Sequence, residues 1–380
     1  MSQQVFADRL GKSKSWVDKV ERGARSLDKV STIAEIAAVL RIDPAILLER
    51  DVPPADPVER ADGVQRIRAA LSTYEVALRQ WGTGRDVLPA AQVAAGVEHA
   101  WTTYQHARYP QLIKGLPELV IAAQHAYVRD PVAGRVSLVE AYRVTASLLV
   151  KLGETELAWL ATDRAMTIAT GDRVLVAAAA VQLGQVLRDD RARSAMSTMR
   201  AVAYRIAPPD LDRGPAAHLS LCGTLLLQGA LAAARHGDAQ AAAGLIDEAT
   251  DLAARVGDGH DHHRTGFGPT ATAAARTLAA VELGDASEAL AWHEKTVGSD
   301  GWRWLPPEHR AAHLVDAARA HLEADDPAAA GRLLLEAERG APAEVRHRPA
   351  ARELLAQLVC KPDAPSAVIP LAAALRVSAR

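Results

Sequence analysis

Four segments of this chain carry one pattern, and that repetition limits the fold more than any other feature. "AYRVTASLLVKLGETELAWLATDRAMTIA", "LLQGALAAARHGDAQAAAGLIDEATDLA", "ARTLAAVELGDASEALAWHEKTV" and "HLVDAARAHLEADDPAAAGRLLLEAERGAP" each read as two amphipathic helices joined by a tight turn. The turns fall at Gly153, Gly237, Gly284 and Asp325, with a more degenerate one near Asp189. Aligned on them, small residues recur where neighbouring helices must approach: Ala146, Ala158 and Ala165, then Ala230, Ala242 and Ala249, then Ala318, Ala330 and Ala337. One such pair cannot bury its apolar faces alone, so successive pairs stack into an array. The chain is predicted to be all-α, with an α-solenoid over residues 64–360 and a C-terminal tail at 361–380.

Composition agrees with that reading. Hydrophobic residues make up 49% of the 380 but aromatics only 4%, and Ala-rich stretches without β-branched runs favour closely packed helices over sheet. Cys222 and Cys360 lie far apart with no metal-ligand spacing, which predicts two buried free thiols and a reducing compartment. The longest apolar run, "VLVAAAAV", is far short of the roughly 20 residues that span a bilayer, so a cytoplasmic protein with no membrane partner is expected. A formal net charge of −2 argues against a chain that coats nucleic acid, yet residues 1–29 hold seven Lys/Arg against four acids.

That local excess coincides with a second pattern. Ser2 is a good N-cap for "QQVFADRL", Gly11 breaks that helix, and Ser13 caps a second one, "KSWVDKVERG", with Trp16, Val17 and Val20 inward. Ala7 and Gly11 supply the small residues that let two short helices cross, and "VSTIAEIAAVLRI" and "DPAILLER" follow as two more. Residues 1–50 resemble the Xre (lambda-repressor-like) helix-turn-helix family from its second helix to its last. The first helix of that family's fold is lacking, which leads us to expect that the true start lies upstream of Met1. The stretch "ERDVPPADPVERADG" concentrates Pro and Asp and predicts a linker at 51–63.

The resemblance implies that the second helix of the motif enters the major groove of double-stranded DNA, with Lys14, Ser15 and Lys19 as candidate base readers. It makes Gln3 a candidate for the DNA backbone. Charge and helix-end geometry add Lys12 and Ser13 near phosphate, and Arg22 and Arg25 as weaker phosphate candidates. Lys12 departs from the family, which commonly has an apolar residue in that turn.

The repeat region resembles the tetratricopeptide repeat, with longer loops. "TGFGPT", "AVELGDASEAL" and "LPPEHRAAHLVDAARAHLEADD" look like the C-terminal half of actinobacterial Xre-type regulators. Solenoids curve, and the first helix of each pair forms the concave wall. Polar candidates for a ligand groove there are Arg143, Gln182, Gln185, His218 and Gln228. Peptide-sensing relatives clamp the peptide backbone with Asn, and this chain has none; a small-molecule effector gains over a peptide.

"GDGHDHHRTGFGPT" gathers three His and two Asp in a loop without a helical His pair to anchor a metal, so it reads as a solvated loop or, through Arg264 and Phe267, as the rim of a ligand pocket. "GWRW" reads as an aromatic contact or as plugs between repeats. No nucleophile elbow, Walker loop or dinucleotide-binding turn occurs, so no catalytic residue, cofactor or bound metal is predicted. The sequence leads to a homodimeric transcriptional regulator that binds an operator and senses a small-molecule or peptide effector. The alternative is a repeat scaffold or signalling adaptor whose head no longer binds DNA.

Overall fold

The computed structural model describes residues 57–73 and 88–378 without a break, residues 12–21, and positions 7, 10, 32, 36 and 76. Among them are seventeen α-helices, two short 3-10 helices and no strand. Two compact units divide the chain, at 1–57 and 58–380.

In the first unit the helix α1 (Lys14–Glu21) is described. The carbonyl of Ala7 accepts from the backbone N–H of Leu10 (3.1 Å) and of Lys12 (3.0 Å), a tight turn that ends one helical segment just before the next begins. Ala7, Val17 and Ile36 are buried.

The second unit begins with α2 (Pro57–Leu71), α3 (Ala90–Gln105), α4 (Tyr109–Arg129), α5 (Pro131–Leu152) and α6 (Thr155–Ala169). It continues through α7 (Arg173–Leu187), α8 (Ala192–Ile206), α9 (Ala216–Arg235), α10 (Ala239–Val256), α11 (Pro269–Leu283) and α12 (Ala286–Val297). The last elements are α13 (Pro307–Glu323), α14 (Pro327–Gly340), α15 (Pro342–His347), α16 (Pro349–Val359) and α17 (Val368–Ala374).

From α3 to α14 each helix packs on the next as a hairpin, and each odd-numbered helix also packs on the next odd-numbered one. That second contact is what makes a stack of hairpins an array. All nine alanines in the repeated register are 2% exposed or less. Gly153, Gly237 and Gly284 turn with φ of 75°, 81° and 79°, and Asp325 does so at 57°, the left-handed region that ends a helix within one residue. Asp238, Asp285 and Asp326 then cap the following helix through the N–H of Ala241, Glu288 and Ala329.

The array does not stay open. The inner row α3, α5, α7, α9, α11 and α13 returns to its start, because α13 packs against α3 and α15 against α5. The principal apolar core accordingly joins both ends of the unit, with Ile67, Leu116, Leu138 and Leu149 in one cluster with Leu334, Leu355 and Val368. A second cluster fills the middle, from Ala177 to Ala279.

Four expectations need correction. Residues 57–63 belong to α2 and not to a linker: Val64, Ile67 and Leu71 are buried, and Gly63, whose composition suggested a loop, lies where any Cβ would strike Ile113. The tail at 361–380 contains α17, which buries Val368 and Ala372. Cys222 is buried, and burial raises its thiol to about 11, but Cys360 at the end of α16 is exposed. Finally, the concave wall closes on itself rather than forming an open groove. One described helix, Ala216–Arg235, is long and apolar enough to cross a membrane, and 78% of its most apolar window is buried in the array.

Candidate functional site

In the first unit, α1 presents one face outward. Ser13 caps it, its hydroxyl oxygen accepting from the N–H of Trp16 at 3.2 Å. Val17 points inward, with Trp16 and Val20 half-buried beside it, while Lys12, Ser13, Lys14, Ser15 and Lys19 are exposed. The Lys12 ammonium lies 6.0 Å from the Trp16 ring centre, so the turn lysine is held over an aromatic face. Gln3, Arg22 and Arg25 lie outside the described residues.

In the second unit the polar residues of α5 form a stripe. Glu140, Arg143, Ser147 and Lys151 follow at helical spacing along one face of the half of the helix that is buried in the core. Arg143 is 1% exposed. Its Nε donates to Gln182 Oε1 (3.0 Å), Nη1 to Glu140 Oε1 (2.6 Å) and Nη2 to the backbone carbonyl of His263 (3.0 Å). The guanidinium lies 5.3 Å from the Trp101 ring centre, and Trp101 donates its indole N–H to Glu140 at 2.8 Å. Gln182 passes the network on to Ser147 at 3.3 Å.

The loop 257–268 between α10 and α11 closes this network. His263 and Arg264 hold φ of 53° and 63°, a conformation that side chains other than glycine adopt at a cost. Arg264 pairs with Glu98, and Gln105 donates to Asp261 at 2.8 Å, so the loop is tied to α3 as well as to α5. Phe267 is 2% exposed and sits against Gly223 of α9. Burial and the neighbouring Arg143 charge lower the pKa of His263. Among the described residues no group of three or more His, Cys, Asp or Glu is arranged to hold a metal.

One turn further along the stripe, Lys151 joins the two ends of the array. Its ammonium pairs with Glu308 of α13 and with Glu344 of α15 (3.0 Å). Tyr104 donates to Glu308 at 3.5 Å, Tyr109 donates to Glu344, and Arg348 donates to Asp316 at 3.2 Å. Burial opposes charge on Lys151, but Glu308 and Glu344 outweigh it and hold its pKa above the usual value. Burial, then the two carboxylates, push Tyr104 and Tyr109 far above the ordinary phenol range.

Of the five groove candidates, the structure brings Arg143 and Gln182 together and spends both on internal partners. His218 lies half-buried on α9 within electrostatic reach of His263. Gln185 and Gln228 are half-buried and stand outside the network, and Gln228 Oε1 is buried without a hydrogen-bond partner. Trp302 packs edge-on against His313 at 5.4 Å, while Trp304 is 60% exposed. Glu140, Ser147 and Lys151 escaped sequence reasoning, although polar residues at helical spacing inside an apolar run were the visible signal. Searches with the whole chain return no matching family model, no curated relative and no matching solved structure.

Proposed function

We propose that this chain is a sequence-specific DNA-binding transcriptional regulator, whose first unit reads double-stranded DNA through α1 and whose repeat unit forms a homodimer and senses an effector. The observation that carries the reading is the division of α1: Val17 is buried while Ser13, Lys14, Ser15 and Lys19 face solvent on a capped helix. A helix just fits the major groove, and lysines along its outer face meet phosphate and the acceptor edge of guanine. Dimerisation follows from the small size of the reading face, since two copies bind two half-sites.

A gel-shift with the 380-residue chain on DNA from upstream of its own gene tests this. Binding that competitor DNA does not abolish, and that Lys14→Ala/Lys19→Ala weakens at least tenfold, supports the reading. Absent binding, or binding indifferent to sequence and to both substitutions, rejects it.

A further inference from the structure

A cavity of about 510 Å³ opens where α2, α15, α16 and the segment after α17 converge, and its wall is strongly cationic. Arg60, His347, Arg352 and Arg376 line it, and Glu353 is the one carboxylate that does so among the described residues. The N-terminal end of the eleven-residue helix α16, at Pro349, borders it too and adds the positive end of a helix dipole.

These cations are not neutralised by one another's surroundings. Arg352 donates to two backbone carbonyls, of Arg346 (3.2 Å) and Leu375 (3.0 Å), and Arg60 to the carbonyl of Leu152 (2.7 Å), with Glu154 no nearer than 3.9 Å. Carbonyls hold a guanidinium in place without cancelling its charge. Arg376 is exposed, and among the described residues its side chain has no hydrogen-bond or ion-pair partner. His347 is 6% exposed and borders the cavity. Burial, and after it the charges of Arg60, Arg346 and Arg352, push its pKa down to about 4. Burial and Arg60 also lower Arg352.

We propose that this cavity binds a small polyanion, a metabolite carrying at least two oxyanion groups of the phosphate or carboxylate kind. The volume lies within the range of small-ligand pockets and is too small for a folded partner. Planar guanidinium groups match both oxyanions. Bound charge would relieve the repulsion between Arg60 and Arg352 and give His347 an acceptor. As the effector site of the regulator proposed above, the cavity rests on that reading; as an anion site it stands without it.

Calorimetric titration of the full chain with inorganic pyrophosphate and, separately, with citrate decides the matter and separates the two oxyanion chemistries. Saturable binding of either, weakening with added salt and reduced at least tenfold by Arg376→Glu, is the expected result. Arg376 supports no other side chain, so that variant keeps the wild-type melting temperature. His347→Gln weakens binding several-fold as an independent check. No binding of either anion at millimolar concentration in low salt overturns the proposal, and so does binding that Arg376→Glu leaves unchanged. A chain that binds the anion but shifts no DNA keeps the site and loses the regulator reading.

Discussion

The guanidinium of Arg143, midway along α5, donates to the backbone carbonyl of His263, 120 residues later, at 3.0 Å. A local polar stripe thereby holds a remote loop against α5. Replacing Arg143 with Met keeps the stem's packing but leaves Glu140, whose side chain is 17% exposed, without its cation. Breaking a buried pair from one side costs about 3–5 kcal/mol. We expect Arg143→Met to lower the unfolding free energy of the repeat unit by that amount in denaturant titration. Hydrogen exchange should rise first in residues 257–268; unchanged exchange there would show that the loop is held by other contacts.

Lys151 allows a sharper test, because it pairs with two buried carboxylates. Its folded pKa is raised, so its contribution is complete below the unfolded value of about 10.4 and is lost as pH climbs through the folded one. Glu308 runs the other way: burial raises it, Lys151 more than compensates, and the lowered result is stability present above the unfolded carboxylate value of about 4.3 and lost as pH falls. Lys151→Met should therefore cost about 3–5 kcal/mol on the plateau between those limits. The gap to wild type should narrow on acidification. A gap constant from pH 7 to pH 3, followed by chemical unfolding, would contradict the assignment.

Sensitivity to acid has a second source. His293 Nδ1 and His313 Nε2 lie 2.9 Å apart, and burial, then His293, takes His313 from about 6.5 to about 3. The unfolded chain takes up that proton first, so folding loses about 1.4 kcal/mol per pH unit from this group between pH 6.5 and pH 3. His313→Phe removes the penalty while filling the space beside Trp302. The acid-unfolding midpoint, followed by circular dichroism, should move to lower pH.

The parts of this molecule that sequence made legible are those set by local period. Nine alanines repeat because hairpins stack at one distance, and every one is buried as its register demands. Arg143 and Gln182 stand out as polar residues on inward helices, and they do meet. Their purpose was not legible, because closure of the inner row brings His263 to Arg143 and Glu344 to Lys151 across separations of 120 and 193 residues, which no local pattern encodes. The same holds for the cationic cavity, assembled from α2, α15, α16 and the segment after α17. Cys360 was misplaced for a different reason: a helix end exposes what mid-helix spacing would bury.

Under the proposed DNA-reading role of α1, its two kinds of lysine should separate in binding assays. On that proposal Lys12, at the turn, contacts phosphate, and Lys12→Ala should lower affinity on every sequence alike and reduce the slope of log affinity against log salt by about 0.9. Lys14→Ala should cost about 1–3 kcal/mol on the preferred site and relax discrimination there. Fluorescence anisotropy at several salt concentrations measures both. If Lys14→Ala weakened specific and random DNA equally, Lys14 would be a phosphate contact and base reading would fall to Ser15 and Lys19.

Gly223 tests how firmly the loop is docked. A Cβ built there would collide with the ring of Phe267, which is buried against α9 at 2% exposure. Neither the ring nor the buried helix has room to yield, so Gly223→Ala must either strain α9 or expel the ring. Overpacking of this kind costs about 1–3 kcal/mol. Helix propensity pulls the other way, favouring Ala over Gly by about 1 kcal/mol, so the net loss should be modest. Phe267→Leu in the same chain shortens the side chain and should restore most of it. A single variant as stable as wild type would mean that the loop detaches without loss, and hydrogen exchange at 257–268 would then rise while the melting temperature stayed put.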